Sequence, residues 1–348
     1  MELNRLLMKN TEATIRDIAI KLNISISTVS RALRGVADVN PATKKAVEEM
    51  AQRLNYEPNR VAQSLRIKRT NTLGIIVPEI ALHFFSSAIS GIQEEASRHG
   101  YSIMICQSLE SYETEKQNVH MLASNRVDGM LISMASETDD FRHIQQLVDK
   151  DIPVVLFDRV SESLRVSKVV VDDHDGAFKA VEHLIKTGCK KIAYIGGPTS
   201  FYISNQRKKG YLDALQQHGL AHNDQLIVHC RELHDDPAIQ VTRLLELPVN
   251  ERPDAFFCFN DPIAVTTLQI LKSKMVAIPE EISVIGFTNE PVSRFIEPSL
   301  TTVSQPSHAM GIRAIELFVE QRQDPEHFEP VTAIMKTELI IRHSTRQV

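Results

Sequence analysis

From Leu73 onward, short apolar runs alternate with stretches of helical spacing, and this alternation limits the fold more than any other feature. LGIIVP, YSIMIC, DGMLISM and PVVLFD read as buried strands; VSKVVVD, KIAYIGG, QLIVH, AFFCF and ISVIGF continue the series. Amphipathic stretches separate most of them, and near the end 307–321 reads as a helix and 331–341 as strand-like. Strand alternating with helix predicts parallel sheets covered on both faces. The pattern restarts near Lys168, which predicts two doubly wound sheets. Ligands then bind outside the carboxyl ends of the strands, in a cleft between the sheets.

The first 70 residues are different. Ile15, Ile18, Ala19 and Leu22 fall on one helical face behind the N-cap residue Thr14. Asn23-Ile24-Ser25 breaks the pattern, and a second helix runs from about Ile26 to Leu33 with Ser25 as its cap. Val29 and Leu33 face inward; Ser27, Thr28, Ser30, Arg31 and Arg34 face outward, and Gly35 ends the helix. A third helix follows the Asn40-Pro41 start signal. This is a helix-turn-helix with a hydrogen-bonding outer face, suited to a DNA major groove. Read alone it is equally an ordinary helical hairpin.

Charge separates the two readings. Through residue 70 there are 13 Lys and Arg against 7 Asp and Glu, a net of +6, while the remainder has 26 against 37, a net of −11. A basic head on an acidic body matches a nucleic-acid reader joined to a domain with another task. The basic segment Asn59–Arg69 between them reads as a linker, or as a segment that folds when bound. No apolar run reaches membrane-spanning length and the first residues lack a signal-peptide core, which predicts a cytoplasmic protein. The four widely spaced cysteines predict reduced thiols.

The motifs carry a specific resemblance. Thr14-Ile15-Arg16-Asp17-Ile18-Ala19, then Ser25 and Thr28-Val29-Ser30-Arg31-Ala32-Leu33, match the head pattern of the LacI/GalR family of transcriptional regulators. Val39-Asn40-Pro41-Ala42-Thr43, Leu54-Asn55-Tyr56-Glu57-Pro58-Asn59 and Ala62-Gln63-Ser64-Leu65 extend it. In the body Arg126-Val127-Asp128-Gly129, Phe157-Asp158-Arg159, Gly210-Tyr211, Phe259-Asn260-Asp261 and Val284-Ile285-Gly286-Phe287 resemble the same family. The resemblance implies a small all-α head at 1–58, a hinge helix or linker at 59–70 and an effector-binding, dimerising body at 71–348. It implies two periplasmic-binding-protein-like α/β subdomains, one at about 71–162 plus 301–328 and the other at about 163–300 plus 329–342. The chain would cross between them near Ser161–Lys168, Leu300–Thr302 and Phe328–Pro330.

The resemblance also implies roles. Ile26 and Ser27 open the recognition helix, and Arg31 is a base or phosphate contact. Thr14, Ser25, Thr28, Ser30, Asn40, Thr43, Tyr56, Asn59 and Ala62 fall among the DNA-contacting positions. Leu65 is the minor-groove wedge between two hinge helices of a homodimer on pseudo-palindromic, double-stranded operator DNA. In the cleft, Asp158, Arg207, Asn260, Thr288 and Gln305 match effector contacts. Phe84 and Phe85 either stack on the effector or belong to the core, and Asn260 caps the helix from Asp261, binds effector, or does both. Thr288-Asn289 stands where sugar-binding members often carry an Asp, which leaves sugar acids, phosphates and modified sugars open.

Catalysis is not expected. Gly196-Gly197-Pro198-Thr199-Ser200 lacks a Walker lysine, no GxGxxG occurs, and the 13 histidines show no HExxH or HxH spacing, so no metal or other cofactor is implied. The expected protein is a repressor of a carbohydrate operon answering a sugar or sugar derivative. The alternatives are a regulator answering a purine and a solute-binding protein without transcriptional role.

Overall fold

The computed structural model describes residues 13–33, 38–56, 69–230 and 236–347. Contacts divide the chain into two units, Met1–Thr70 and Asn71–Val348.

The first unit holds α1 (Ile15–Leu22), α2 (Ile26–Leu33) and α3 (Pro41–Arg53). Ile18, Ala19, Val29, Ala32, Val47 and Ala51 close its small core.

The second unit alternates as the apolar runs require. β1 (Thr72–Val77), α4 (His83–Arg98), β2 (Ser102–Gln107), α5 (Tyr112–Ser124), β3 (Gly129–Ile132), α6 (Arg142–Val148), β4 (Val154–Phe157) and β5 (Ser167–Val171) come first. Next are α7 (Asp173–Lys186), β6 (Ile192–Gly196), α8 (Tyr202–Gln217), β7 (Ile227–His229), α9 (Pro237–Leu245), β8 (Ala255–Cys258), α10 (Asp261–Ser273) and β9 (Ser283–Thr288). β10 (Thr301–Ser304), α11 (Ser307–Gln323), β11 (Thr332–Met335) and β12 (Glu338–Ile340) end the chain. The strands form two six-stranded sheets, ordered β11-β5-β4-β3-β1-β2 and β12-β10-β9-β8-β6-β7. All pairings are parallel except β10 with β12.

Successive strand residues point to opposite faces, so each sheet buries two layers. In the first, Ile75 and Leu131 pack under α4 and α11, while Ile76 and Ile132 pack under α5 and α6. In the second, Tyr194 and Phe257 meet α7 and α8; Ile195 and Phe256 meet α9 and α10.

The subdomain boundaries differ from the expected ones. β5 was expected in the second subdomain, but Val155 pairs with Ser167 and puts it in the first sheet. The missing helix between β4 and β5 mimics a domain break. Thr301 pairs with Ile285, so β10 belongs to the second sheet, not the first. The strand-like tail 331–341 splits: β11 pairs with β5 in the first sheet and β12 with β10 in the second. The chain therefore crosses at 172, 305–306 and 336–337, several residues beyond each expected crossing.

α4 and α11 approach at two glycines. A Cβ on Gly91 would lie 2.0 Å from the His308 carbonyl oxygen, and one on Gly311 2.1 Å from that of Ala88. Backbone cannot give way as a side chain does. Gly91→Ala is therefore expected to destabilise the protein by about 1–3 kcal/mol, seen as a lower urea midpoint at unchanged slope. An unchanged midpoint would show that the helices slide apart freely.

Candidate DNA-reading head and effector cleft

In the head, side chains cap the helices as the sequence suggests. The Thr14 hydroxyl accepts from the Asp17 N–H, and Asp17 Oδ2 accepts from the Thr14 N–H at 2.8 Å. These bonds hold the Asp17 carboxyl below its usual range. Ser25 Oγ accepts from the Thr28 N–H at 3.0 Å and lies 2.7 Å from Ser27 Oγ. Asn40 Oδ1 accepts from the Ala42 N–H at 2.9 Å. Thr14, Ser25 and Asn40 thus hold the helix ends.

With Val29 and Ala32 turned inward, α2 leaves Ile26, Ser27 and Arg31 exposed, and Thr28 and Ser30 half-buried. Arg31 is ion-paired with Asp38, both side chains half exposed. Thr43 and Tyr56 are half-buried, and burial pushes the Tyr56 hydroxyl up. Asn59, Ala62 and Leu65 lie outside the described residues, as do Arg34 and Gly35.

In the body, chemistry collects at the carboxyl ends of strands from both sheets. Ser108 follows β2, Ser133 β3, Asp158 and Arg159 β4, and Asp173 β5; Asn260 follows β8, Thr288 ends β9 and Gln305 follows β10. Among the described residues, Ser108 Oγ, Ser133 Oγ, Arg159 Nε, Asp173 Oδ2, Thr288 Oγ1 and Gln305 Nε2 are buried without a protein partner. Buried polar atoms are normally bonded, so such a cluster needs a ligand or water.

Arg207 is the best-held side chain of the cleft, 2% exposed. Its Nε donates to Asp173 Oδ1 at 2.7 Å and its Nη1 to the Phe259 carbonyl at 2.6 Å. Its guanidinium lies over the rings of Phe259 and Phe287, 4.6 and 3.7 Å from their centroids. Burial raises the Asp173 carboxyl, which Arg207 partly brings back.

Asp158 is 7% exposed and sits at φ 58°, in the left-handed region that Asp tolerates. Burial pushes its carboxyl up to about 6. The charges of Arg159, Asp173, Arg207 and Glu110 all reach it, which places both sheets' charged groups around one space. The nearest Arg159 nitrogen is 4.0 Å away. Arg159 instead donates to Glu110 Oε2 at 2.6 Å and lies over the rings of Phe85 and Phe201, 5.7 and 4.7 Å away.

Asn260 Oδ1 caps α10, accepting from the Ile263 N–H at 3.0 Å. Thr288 has φ 117°, a strained value for a β-branched residue, and Asn289 follows at 57°. Asn289 Oδ1 accepts from Arg342 at 2.7 Å. Phe84 and Phe85 lie in the first turn of α4, 7% and 2% exposed in the core of the first sheet, their rings edge to face at 5.1 Å.

The cleft therefore brings together Asp158, Arg207, Thr288 and Gln305, keeps Asn260 at its margin as a cap, and packs both phenylalanines beneath it. Sequence reading missed Arg159, Glu110 and Asp173 as parts of the cleft. Asp173 had a readable signal, the second of two carboxylates after an apolar run, as Asp158 follows another.

Known proteins are similar to this chain in sequence and fold. Residues 14–59 match the model for bacterial regulatory proteins of the lacI family, and 181–345 that for a periplasmic binding protein-like domain. The HTH-type transcriptional repressor PurR of Vibrio atlanticus (strain LGP32) is 33% identical over 96% of this chain and 99% of its own. The HTH-type transcriptional repressor CytR of Escherichia coli (strain K12) is 32% identical over 97% and 98%. Among solved structures, the complex of the transcriptional regulator CelR with cellobiose aligns at TM-score 0.73 and 28% identity, covering 95% of this chain and 99% of that one. The lac repressor dimer bound to operator and the anti-inducer ONPF shares the fold at TM-score 0.84 and 24% identity, over 97% and 100%. Similarity to repressors, a third of residues identical along almost the whole length, decides what head and body are together: the chain belongs to the lacI family of bacterial regulatory proteins.

Proposed function

We propose that this protein is a cytoplasmic, homodimeric transcriptional repressor that acts by binding alone, its heads on a pseudo-palindromic operator and a small hydroxylated effector in the cleft. One observation carries the effector reading: six buried polar atoms without a partner among the described residues lie where both sheets' strands end. Arg159 Nε and Gln305 Nε2 offer donors, Asp173 Oδ2 an acceptor, and Ser133 and Thr288 hydroxyls both. A sugar hydroxyl donates and accepts at once, which suits this mixture.

The charge of the site narrows the class. Glu110, Asp158 and Asp173 stand around one space with Arg159 and Arg207. Both arginines are engaged by carboxylates. An acidic cleft with its cations occupied favours a neutral ligand over a sugar phosphate or sugar acid. A purine would want bare ring faces, and Phe201 and Phe259 each carry a guanidinium on one.

On the DNA side, Ile26, Ser27 and Arg31 read bases, the N-terminal turns of α2 and α3 hold phosphates, and Leu65 wedges the minor groove. Effector and operator are linked, so each changes the affinity of the other by the same factor, about 5–150-fold in typical cases. Mobility shifts on DNA from around its own gene, with neutral sugars and their phosphates, are expected to show a palindromic site whose affinity moves with a neutral sugar only. No specific binding to any such site would sink the proposal.

A further inference from the structure

Helices α5 and α6 leave a groove of about 660 Å³ on the outer face of the first sheet, on the side away from α4 and α11. A volume of this size is that of a small-molecule pocket. Val119 and Leu147 form an apolar floor, buried to 4% and 3% exposure. Arg142 and Lys150 stand exposed on the rim, and Lys116 is half-buried beside them, 2.7 Å from Glu113 Oε1. The one lining carboxylate among the described residues, Asp140, is already engaged. It accepts from Arg142 Nε at 2.7 Å and from the Tyr112 hydroxyl at 3.2 Å, and Arg142 holds its carboxyl well below the usual range.

A buried polar group in the wall points to a ligand. His143 is 6% exposed. Its Nε2 lies 2.8 Å from Glu115 Oε1, while its Nδ1 is without a partner among the described residues. Glu115 is fully buried and also accepts from the Ala135 N–H at 2.6 Å and from Thr138 Oγ1 at 3.0 Å. A carboxylate held by those two donors takes the imidazole proton on Nε2. That leaves Nδ1 for an acid group, which either donates its own proton there or, with His143 charged, accepts one.

We propose that this groove is a second ligand site, distinct from the cleft, for a small organic anion with an apolar body. The floor takes the body, Lys150, which has no ion pair among the described residues, takes the charge beside Arg142, and His143 takes the acid group. Hydrogen bonds tie the site to the cleft. Glu115 holds Ala135, and the next residue, Ser136, donates to Glu110 at 2.9 Å, the partner of Arg159.

The probe is 8-anilinonaphthalene-1-sulfonate, an aromatic body bearing one anion, titrated by fluorescence into the full chain. We expect one saturable site per chain and weaker binding of the uncharged analogue N-phenyl-1-naphthylamine. The double variant Arg142→Glu/Lys150→Glu, at two exposed positions, is expected to weaken dye binding by about tenfold or more. The equally charged control Lys190→Glu/Lys274→Glu, on the other subdomain, is expected to leave it unchanged. Circular dichroism and thermal midpoint verify that both variants are folded. Equal losses in both doubles, no loss in the first, or no saturable binding would each overturn the proposal.

Discussion

Arg207→Met is expected to lower the unfolding free energy by about 3–5 kcal/mol and to remove the effector response of operator binding. Arg207 and Asp173 are 2% and 1% exposed at their side chains. Met keeps most of the side-chain volume and packs on Phe259 and Phe287. It leaves Asp173 buried beside no cation, with Oδ2 unpartnered as before. Breaking a buried pair on one side costs far more than the pair itself contributes.

The pH dependence identifies the cause. Burial already raises the Asp173 carboxyl, and Arg207 lowers it again. Without Arg207 its folded pKa rises further above the unfolded value. A raised carboxyl destabilises the fold once ionised, so the deficit is full above the folded pKa and fades as pH falls toward the unfolded one. Urea unfolding is therefore expected to show a larger deficit at pH 7.5 than at pH 5. Adding Asp173→Asn is expected to recover much of the loss at pH 7.5 and little at low pH. A deficit independent of pH would assign the loss to packing.

Asp158→Asn is expected to act in the opposite direction on stability. The Asp158 carboxyl moves from 3.8 to about 6 on folding, chiefly by burial. A rise of roughly two units corresponds to at most about 3 kcal/mol of destabilisation above pH 6. The penalty builds between pH 4 and 6 and is absent below. Asn keeps the shape, accepts the left-handed backbone and removes the charge. The variant is thus expected to be more stable than wild type at pH 7.5 and equal to it near pH 3.5. In return it is expected to bind effector at least tenfold more weakly, since a charged acceptor becomes a neutral one. An Asp158→Asn protein with full effector response would remove Asp158 from the binding site.

Much of this was legible because local physics decides it. α2 spans Ile26–Leu33 as expected, since Ser25 caps it and Val29 sets its inner face. α5 and α10 start where Ser111 and Asn260 cap them, by the same local signal. α4 begins at His83 behind Leu82, whose side chain makes no capping bond. No capping signal marked that start. Sheet membership was harder. Whether β5 joins β4 or a new sheet depends on a pairing with strands outside its own sequence neighbourhood, and both alternatives bury the same valines. Arg159 takes its carboxylate from Glu110, 49 positions away, a pairing that no local pattern shows.

The three crossings have a genetic consequence. The second lobe is built from 173–304 plus the tail strand β12, and the first from 71–172, α11 and β11. A single recombination event between two such genes cannot exchange a whole lobe, since any one breakpoint between β1 and β12 leaves a sheet with strands of mixed parentage. Pairs such as Val303 with Leu339, and the Ser344 hydroxyl on the Val284 carbonyl at 2.6 Å, must then come from one parent although they lie far apart in the gene. Under the proposed function, new effector specificities in a protein built this way are expected by substitution at the strand ends, while the head, one contiguous segment, can be exchanged with a single breakpoint.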